Sequence, residues 1–380
     1  MSLQTLNIQE IRNYFPFLKN GITYLNHAST GPMCKPVIDK INEILLERSE
    51  SKPDEYQNFL AAAEETKELL ARYLNINKDR FAFTDNTSNG LNILAQGVNF
   101  EKGDNILLND IEFPSNVYPF LNLKSKGVDV RFVKSADGIV TCEDIISATD
   151  DNTKLISVSY VQFLSGYRID IEKLGKFCKS KNIIFSVDAI QGLGAFQLDI
   201  QKCNIDFLSC GVQKWLLGLQ GMAFIYISKE LQEKINPIFI GWLSVENAWD
   251  LLNFELRLKN SASVFQTGTV NTLGIYVLNT VLNTFKSYGY KNIENNVIDN
   301  TLLLRNRLSS AGIRLYPAEL EESNFSGIVS FRHTDPEGLF RWLSERKIIV
   351  SLREGIIRLS PHFYNSESDF EILVEAIRNY

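Results

Sequence analysis

The chain contains 380 residues, of which 44% are hydrophobic and 22% are charged, the balance of an ordinary globular protein. Its formal net charge of −6 and the lack of any Lys/Arg block argue against nucleic acid as the main partner. No apolar run reaches the roughly 20 residues of a membrane-spanning helix, and residues 1–5 lack the features of a signal peptide. We therefore expect a cytoplasmic protein that binds neither membranes nor nucleic acid.

The cysteines and histidines indicate no metal centre. The five cysteines have neither an even count nor paired spacing, which is typical of reduced thiols in a cytoplasmic protein. The three histidines, His27, His333 and His362, lie far apart in the sequence and do not have the spacing of metal ligands.

The amino-terminal part predicts three elements before the first long strand. Segment 1–20 has apolar residues at helical spacing and predicts an amphipathic helix. Residues 24–32 predict a short strand that runs into a turn of small polar residues, suited to lie against a ligand. His27 belongs to this turn, where a hydrogen-bonded structural role is slightly favoured over a catalytic one. The pattern of 58–74 predicts a strong amphipathic helix.

A polar loop follows the strand predicted at 80–84. The loop contains Asn86, Thr87 and Ser88 and opens the helix predicted at 91–97. The amino terminus of a helix presents free backbone amides and a favourable dipole to an anion. The same residue types are also ordinary helix caps, so the loop by itself is a weak indication of a phosphate site.

Strands and helices alternate from residue 105 to residue 227, which favours a mostly parallel sheet with helical crossovers. The helices are predicted at 117–126 and 171–181, and the strands at 105–108, 128–133, 155–161, 183–187, 206–211 and 222–227.

Two charged residues stand just beyond the carboxyl ends of two core strands. Asp188 follows the strand at 183–187, and Lys214 follows the strand at 206–211. Open α/β sheets bind ligands in the crevice at this edge. Pyridoxal phosphate (PLP) chemistry needs such a pair, because a lysine forms a Schiff base with the cofactor aldehyde and a carboxylate keeps the pyridine nitrogen protonated. Taken singly, Asp188 is more often a helix cap and Lys214 a surface charge.

The pattern changes near residue 265, and a helix at 269–287 connects to a second unit with a compact α+β pattern. That unit has predicted helices at 292–308, 336–346 and 367–377, and predicted strands at 313–316, 328–332, 348–351 and 356–360. We predict a large domain of residues 21–280 and a small α+β domain formed by residues 1–20 and 281–380.

From Tyr24-Leu-Asn-His-Ala to Arg358-Leu-Ser-Pro, the chain resembles the class V aminotransferase family. The segments Asp188-Ala-Ile-Gln191 and Lys214-Trp-Leu carry the resemblance, and the motifs come in the order that the family has. This family is the branch of fold-type I PLP-dependent enzymes that contains cysteine desulfurases, selenocysteine lyases, kynureninase and isopenicillin N epimerase. The resemblance implies PLP as the cofactor and an α/β fold, with a mostly parallel sheet in a large domain that binds it.

The resemblance also implies roles for single residues. Lys214 matches the lysine that carries the cofactor, Asp188 matches the acid that pairs with the pyridine nitrogen, and Gln191 matches the residue that contacts the phenolic oxygen. The other cofactor contacts that the resemblance implies are Asn86, Thr87 and Ser88 in the phosphate-binding turn, Phe113 over the ring, Gln213 before the lysine, and Gly268 and Thr269.

Gln266-Thr267-Gly268-Thr269 resembles the segment that reaches the phosphate from the neighbouring subunit, so we expect a homodimer with a shared active site. Arg358 matches the arginine that binds the substrate carboxylate, an anion that a guanidinium fork fits better than an ammonium does. With Arg358 we assign His27 and Ser29 to substrate binding. Three further residues, Tyr160, Gln162 and Arg168, either line the pocket or pack in the core, and the sequence favours neither role.

The chain departs from the family's desulfurases in three ways. Phe113 stands in place of a histidine that stacks over the cofactor, and a phenyl ring can stack but cannot move a proton. Gln213 replaces the usual histidine before the lysine, and Gly211 replaces a phosphate-binding serine. Residues 342–355, just before Arg358, contain no cysteine, although a desulfurase needs a thiolate there. Persulfide formation on the enzyme is therefore disfavoured.

We predict a PLP-dependent enzyme that acts on a small amino acid by transamination or by related chemistry at Cα, such as epimerisation. β-Elimination of the cysteine or selenocysteine lyase type, without a persulfide cysteine, is the second hypothesis. A non-catalytic protein that keeps the PLP fold is the third. Resemblance in fold does not choose among the reaction outcomes.

Overall fold

The computed structural model describes residues 6–54 and 56–380. Its strands are β1 (Thr23–Tyr24), β2 (Phe81–Thr84), β3 (Asn105–Asn109), β4 (Asp129–Val133), β5 (Thr153–Ser159), β6 (Ile184–Asp188), β7 (Phe207–Gly211), β8 (Ala223–Ile227), β9 (Leu315–Tyr316), β10 (Val329–Arg332), β11 (Ile348–Ile349), β12 (Ser351–Arg353) and β13 (Ile356–Leu359). Its α-helices are α1 (Ile8–Arg12), α2 (Lys35–Leu46), α3 (Tyr56–Leu74), α4 (Thr87–Gly97), α5 (Tyr118–Leu121), α6 (Cys142–Ser147), α7 (Ile171–Lys181), α8 (Lys229–Gln232), α9 (Thr272–Tyr288), α10 (Tyr290–Ser310), α11 (Pro336–Glu345) and α12 (Glu367–Arg378). Within the described residues, no helix combines the length and the apolarity that crossing a bilayer requires.

Seven strands form one sheet in the order β2-β8-β7-β6-β5-β3-β4. Strand β8 is antiparallel to both of its neighbours, and the pairs from β7 across to β4 are parallel. Crossovers such as α7, between β5 and β6, return the chain to the starting edge of the sheet, as parallel pairing requires. The structure thus confirms the predicted α/β fold with a mostly parallel sheet.

Strands β6 and β7 lie side by side in the interior of this sheet. Phe185, Val187 and Leu208 are fully buried, as expected for short apolar strands that are covered on both faces. The two strands are parallel, with Asp188 opposite Ser209, so both end at the same edge of the sheet. Residues that follow either strand therefore meet at this edge.

Two smaller sheets involve the carboxyl-terminal part of the chain. One is antiparallel and has the order β12-β13-β10-β9, and the other pairs β1 with β11 in parallel. Asn26, just after β1, forms an isolated parallel bridge with Ser360, just after β13. The strand at the start of the expected large domain therefore pairs with a strand of the expected small domain. The division into 21–280 and 1–20 with 281–380 remains a prediction.

The helices differ from the sequence prediction mainly near the amino terminus. Within the described residues, the helix expected over 1–20 consists of the short α1 and a 3-10 helix at Pro16–Asn20, and residues 1–5 lie outside the described part. Pro16 separates the two pieces, because the residue before a proline disfavours helical backbone angles. The prediction also missed α2, which has a proline in its first turn, a position where proline is tolerated.

An ion pair between Arg12 and Asp369 ties the amino-terminal helix α1 to the last helix, α12. The guanidinium of Arg12 donates to both carboxylate oxygens of Asp369, at 2.7 and 3.1 Å. The Asp369 side chain is 4% exposed, so the pair is largely removed from water. It contrasts with the surface pair of Lys35 and Asp39, in which both side chains are 57% exposed.

Asp369→Ala is expected to lower the free energy of unfolding by about 3 kcal/mol, because it leaves Arg12 charged and unpaired at a poorly solvated position. Asp39→Ala is the matched control and should cost less than about 1 kcal/mol, since exposed pairs contribute little. Urea denaturation followed by circular dichroism measures both values. Similar losses in the two variants would contradict the importance given to the buried pair.

Candidate active site

Lys214 lies in the loop that leaves β7 at the carboxyl edge of the large sheet. This loop is fastened to the amino-terminal turn, since the Gly31 N–H donates to the Gln213 carbonyl at 2.7 Å. A Cβ on Gly31 would lie 2.3 Å from the Lys214 carbonyl oxygen, so a glycine is required for the two backbones to approach this closely. The candidate site therefore forms where the amino-terminal turn meets the end of a core strand.

The Lys214 amine lies 5.5 Å from the centroid of the Phe113 ring. Burial lowers the pKa of Lys214 to about 8; the charge of Asp188 opposes this shift and the charge of Arg358 adds to it. An ordinary lysine, with a pKa of about 10.4, is almost fully protonated at neutral pH. Lys214 has a larger neutral fraction, and the neutral amine is the form that attacks an aldehyde.

Asp188 ends β6, and its side chain is buried. Its Oδ1 accepts the N–H of Ile190 at 3.0 Å. Burial raises the pKa of Asp188 to about 7; the hydrogen bond from Ile190 and the charge of Lys214 oppose this shift, and the charge of Glu112 adds to it. A carboxylate in such a place is strongly stabilised by a cationic partner. The protonated pyridine nitrogen of PLP is a partner of this kind.

The predicted phosphate turn stands at the start of α4. Asn86 caps this helix by accepting the N–H of Asn89 at 2.8 Å. Thr87 Oγ1 accepts the N–H of Gly211 at 2.9 Å, which attaches the turn to the end of β7 just before Lys214. The first backbone N–H groups of a helix have no acceptor within the helix and can bind an anion.

Gln213 occupies the space beside the phosphate turn. A Cβ on Gly211 would lie 2.6 Å from Gln213 Oε1 and 3.2 Å from Thr87 Oγ1. The glycine thus makes room for the glutamine side chain at the place where the desulfurases of the resembled family carry a serine. Ser88 Oγ donates to Ser115 Oγ at 2.9 Å. The turn and its surroundings therefore offer hydroxyl, amide and backbone N–H groups to a phosphate.

Gln191 connects the amino-terminal turn to the loop that carries Lys214. Its Nε2 donates to the Ala28 carbonyl at 3.0 Å, and its Oε1 accepts the Trp215 Nε1–H at 2.9 Å. Trp215 is fully buried, so this connection is shielded from water. One amide hydrogen of Gln191 is left for a cofactor oxygen, and the contact to the phenolic oxygen remains a prediction.

Arg358 lies on β13, opposite Ser351 of β12. Its guanidinium donates to Ser351 Oγ at 3.1 Å, to the Phe163 carbonyl at 2.7 Å and to Ser29 Oγ at 2.8 Å. All of these partners are neutral, and the described residues provide no carboxylate as an ion-pair partner. Burial lowers the pKa of Arg358 to about 10, and the charge of Arg353 lowers it further. A buried guanidinium without a counter-charge is suited to bind an anion.

The structure corrects the assignment of His27 to substrate binding. Its ring is fully buried. Nδ1 donates to the Ser360 carbonyl at 2.9 Å and Nε2 accepts the Tyr364 hydroxyl at 2.8 Å, so neither nitrogen is left for a substrate. Burial also lowers the pKa of His27 well below its usual value. His27 is a neutral structural residue that joins the end of β1 to the segment after β13.

Gly268 and Thr269 do not lie beside Lys214 within one chain. They line a separate cavity of about 540 Å³ together with Asp85 and Asn89, near the start of α4, and Lys214 is not among the described residues around it. The single chain thus brings this segment close to the phosphate turn but not to the amine. Contact with the cofactor of a neighbouring subunit remains a prediction.

Sequence reasoning missed Phe163 and Ser351. Phe163 provides a carbonyl to Arg358, and its ring packs edge-on against Phe113 with 5.3 Å between the centroids. Ser351 contacts Arg358 because a tight turn at Gly355, where φ is 72°, folds β12 back onto β13. A glycine between two short apolar runs is a hairpin signal. This signal would have placed Ser351 opposite Arg358.

Glu112 is a further residue whose role was missed. It is buried beside Phe113 and accepts hydrogen bonds from Gln162 Nε2 at 2.9 Å, Asn116 Nδ2 at 3.1 Å and the Ser159 N–H at 2.9 Å. The other amide atom of Gln162, Oε1, is buried without a hydrogen-bond partner among the described residues. Because buried polar atoms are nearly always paired, this oxygen is a candidate contact for a bound molecule.

Tyr160 and Arg168 lie at a different cavity, of about 910 Å³, which Asp199 also lines. Arg168 Nε donates to the Phe325 carbonyl at 2.8 Å, and its guanidinium lies 4.7 Å from the centroid of the Phe196 ring. These contacts favour a packing role for both residues, whereas Gln162 belongs to the polar network beside Phe113.

The groups at the carboxyl edge of the sheet fit PLP. Lys214 offers an amine with a substantial neutral fraction to the aldehyde, and Asp188 offers a buried carboxylate to the ring nitrogen. The start of α4 offers backbone N–H groups and hydroxyls to the phosphate. Each reactive part of the cofactor therefore has a complementary group in this site.

Comparison with known proteins also indicates a PLP-dependent enzyme. A sequence model described as "Aminotransferase class-V" matches residues 23–373. The probable cysteine desulfurase of Methanothermobacter thermautotrophicus is 29% identical over 98% of each chain. The apo cysteine desulfurase of Thermococcus onnurineus NA1 superposes with a TM-score of 0.89 at 24% identity, covering 100% of this chain and 98% of that chain. A variant of the cystine C–S lyase C-DES, with glycine covalently linked to its PLP cofactor, gives a TM-score of 0.88 at 20% identity, with 97% of this chain and 99% of that chain covered.

The sheet, with a buried aspartate and a partly buried lysine at its carboxyl edge, has the architecture of fold-type I PLP-dependent enzymes. The chain belongs to the Aminotransferase class-V family, whose sequence model spans nearly all of it. It is therefore a PLP-dependent enzyme, and the hypothesis of a non-catalytic protein with this fold is set aside.

Trace acetylation of the apoenzyme is expected to modify Lys214 with a midpoint near pH 8, because the neutral amine is the reactive form and burial lowers its pKa to about 8. Exposed lysines with an ordinary pKa should instead show midpoints near pH 10. Peptide mass spectrometry across a pH series measures the modified fraction at each lysine.

The Asp188→Asn variant tests whether the charge of Asp188 raises the pKa of Lys214. It removes the negative charge that stabilises the Lys214 ammonium, so the midpoint should move to lower pH. A midpoint near pH 10 for Lys214, or a midpoint that does not respond to Asp188→Asn, would contradict the electrostatic description of the site.

Proposed function

We propose that this enzyme acts on a small α-amino acid, whose amine reacts at the cofactor carried by Lys214 and whose α-carboxylate is bound by Arg358. The observation that most supports this proposal is the buried guanidinium of Arg358, which has neutral partners at Ser29, Phe163 and Ser351. A substrate carboxylate would supply the counter-charge and could accept two parallel hydrogen bonds from the guanidinium.

Lys214 is the base in this proposal. When bound, PLP supplies an aldehyde and an electron-withdrawing ring that makes the Cα proton of the substrate acidic. Lys214 Nζ, with its lowered pKa, removes this proton and can return it. Asp188 would keep the ring nitrogen of bound PLP protonated, and Arg358 orients the substrate by its carboxylate. Phe113 can stack on the ring but cannot move a proton, so proton transfer falls to Lys214.

Transamination, or a related reaction at Cα such as epimerisation, is the outcome that we propose first. Both reactions move one proton and need no enzyme thiol. They suit a chain with phenylalanine at position 113 and no cysteine in residues 342–355.

C–S β-elimination is a second candidate, and the comparisons provide a specific reason for it. The relative at 29% identity is named a probable cysteine desulfurase, and C-DES is named a cystine C–S lyase. An elimination breaks the bond between Cβ and a leaving group and can release sulfur directly, without a thiol on the enzyme. It is therefore compatible with the absence of a cysteine before Arg358.

The five cysteines argue against a persulfide on the enzyme itself. All are buried free thiols, which also agrees with the cytoplasmic location that we propose. Burial raises the pKa of Cys142 to about 11 and that of Cys203 to about 12, and it raises the pKa of Cys210 well above its usual value. Such thiols hold little of the reactive thiolate at neutral pH.

We also propose that two copies of the chain assemble around a shared active site. Large apolar side chains are concentrated in segment 238–256, where Phe254 is 90% exposed and Leu252 is 87% exposed. Exposed apolar patches of this kind often mark protein interfaces. The segment is continuous with the cavity that Phe239 and Thr269 line. If a second copy covers this surface, Thr269 of one copy would lie near the phosphate turn of the other copy.

Borohydride reduction of the holoenzyme is expected to fix the cofactor on Lys214, and Lys214→Ala should lose all measurable turnover because both the anchor and the base are removed. Lys229→Ala, at an exposed lysine that begins α8, is the control and should keep turnover. Peptide mapping and an assay against a panel of amino acids provide the two measurements. A cofactor label on another residue would refute the assignment.

The products of the same panel decide between the two candidate reactions. A keto acid formed from an amino acid that has no leaving group on Cβ, such as alanine, or an inverted amino acid, supports chemistry confined to Cα. Sulfide released from cysteine or cystine at comparable rates would establish β-elimination in its place.

Phe254→Asp is expected to convert the dimer into monomers, because it places a charge in the centre of an apolar interface. Ile372→Asp is the matched control, because Ile372 is an exposed apolar residue on α12, away from segment 238–256; this variant should leave the assembly unchanged. Sedimentation velocity measures the mass of each variant. A monomeric native enzyme, or a Phe254→Asp variant that stays dimeric, would contradict the proposed interface.

A further inference from the structure

The hairpin of β12 and β13 carries two arginines on one face. In this antiparallel pair Ser351 lies opposite Arg358, and Arg353 lies opposite Ile356. Side chains alternate between the two faces along a strand, so Ser351 and Arg353 share a face, and the hydrogen bond from Arg358 to Ser351 puts Arg358 on that face as well. Diagonal neighbours on one face of such a pair are about 7–8 Å apart. Arg353 is therefore close to Arg358 and directed to the same side of the sheet.

Arg353 has no acidic partner among the described residues. It is exposed, and its recorded hydrogen bond runs to the Leu352 carbonyl at 3.5 Å, which is a weak contact. Its charge nevertheless affects the site, because it lowers the pKa of Arg358 and of Lys214, in each case after the larger effect of burial. The same face of the hairpin thus presents two cations beside Lys214 and no acid to balance them.

A ligand with a single carboxylate would balance only one of these charges. In the proposed function Arg358 binds the α-carboxylate, which leaves Arg353 without a partner at the open side of the site. A second acidic group on the substrate side chain would meet Arg353 and form a charge-assisted hydrogen bond. Repulsion between the two arginines would then be offset at both positions by one bound molecule.

We propose that Arg353 is a specificity-determining residue that binds a side-chain carboxylate, so that the enzyme prefers acidic amino acids such as aspartate and glutamate. This inference rests on the proposed binding of the α-carboxylate by Arg358. The charge of the site identifies the substrate class, and Arg353 becomes a second residue that binds a carboxylate of the substrate.

Isothermal titration calorimetry of the holoenzyme with succinate and with propionate tests the inference without turnover. Succinate has two carboxylates and should bind roughly tenfold more tightly than propionate, as expected for one additional charge-assisted hydrogen bond. Arg353→Gln should remove this advantage and change the affinity for propionate far less than that for succinate. Arg378→Gln, at an exposed arginine at the end of α12, is the matched control and should behave as the native enzyme.

Kinetics on the same variants extend the test to substrates. Arg353→Gln should lower kcat/KM for aspartate roughly tenfold, mainly through KM, and lower kcat/KM for alanine much less. Arg358→Gln should weaken both substrates, because every amino acid has the α-carboxylate.

The two proposals fail in different ways. Equal affinities of the native enzyme for succinate and propionate, or an Arg353→Gln variant that keeps the preference for succinate, would overturn the role of Arg353 while the proposed function stands. An Arg358→Gln variant that binds propionate and turns over alanine as the native enzyme does would overturn the proposed function itself.

Discussion

Two opposite charges at one edge of a sheet, those of the buried Asp188 and the partly buried Lys214, are the constraint on which the structure depends. Burial raises the pKa of the acid, which the hydrogen bond from Ile190 and the charge of Lys214 oppose, and it lowers the pKa of the amine, which the charge of Asp188 opposes. Parallel strands β6 and β7 bring the two residues to the same edge. The close approach at Gly31 and the hydrogen bond between Gln191 and Trp215 then fix the loop that carries the amine.

The groups that bind the substrate in our proposal come from a different part of the chain. Arg358 lies on the small antiparallel sheet, and Ser29 lies in the turn after β1; a hydrogen bond of 2.8 Å joins them. The nearby histidines His27 and His362 are fully buried, and both nitrogens of each ring are hydrogen-bonded within the protein. Burial also lowers the pKa of His362 to about 4 and that of His27 well below its usual value. In our proposal, proton transfer takes place at the large sheet and the substrate carboxylate is bound at the small one.

Sequence reasoning found the parts of this site that depend on local pattern. Strands β6 and β7 are short apolar runs, with Asp188 at the end of the first and Lys214 three residues after the second, and the family motifs gave these two residues their predicted PLP roles. The misjudged residue was His27, because its burial comes from Ser360 and Tyr364, which are distant in the sequence. The contact of Phe163 with Arg358 is of the same long-range kind and left no signal in the sequence.

The contacts between the amino-terminal turn and residues 348–360 have a consequence for the order in which the site forms during synthesis. His27 and Ser360 are hydrogen-bonded although they are 333 positions apart in the chain. On the ribosome, the strands of the large sheet can emerge and associate while residues 348–360 are still untranslated. At that stage the hydrogen bond between Ser29 and Arg358 cannot form, because contacts between distant segments form only after the intervening chain has been synthesised. The part of the site that contains Arg358 is thus completed only after residues 348–360 have been synthesised, and a nascent chain that stops before them has the lysine but not the arginine.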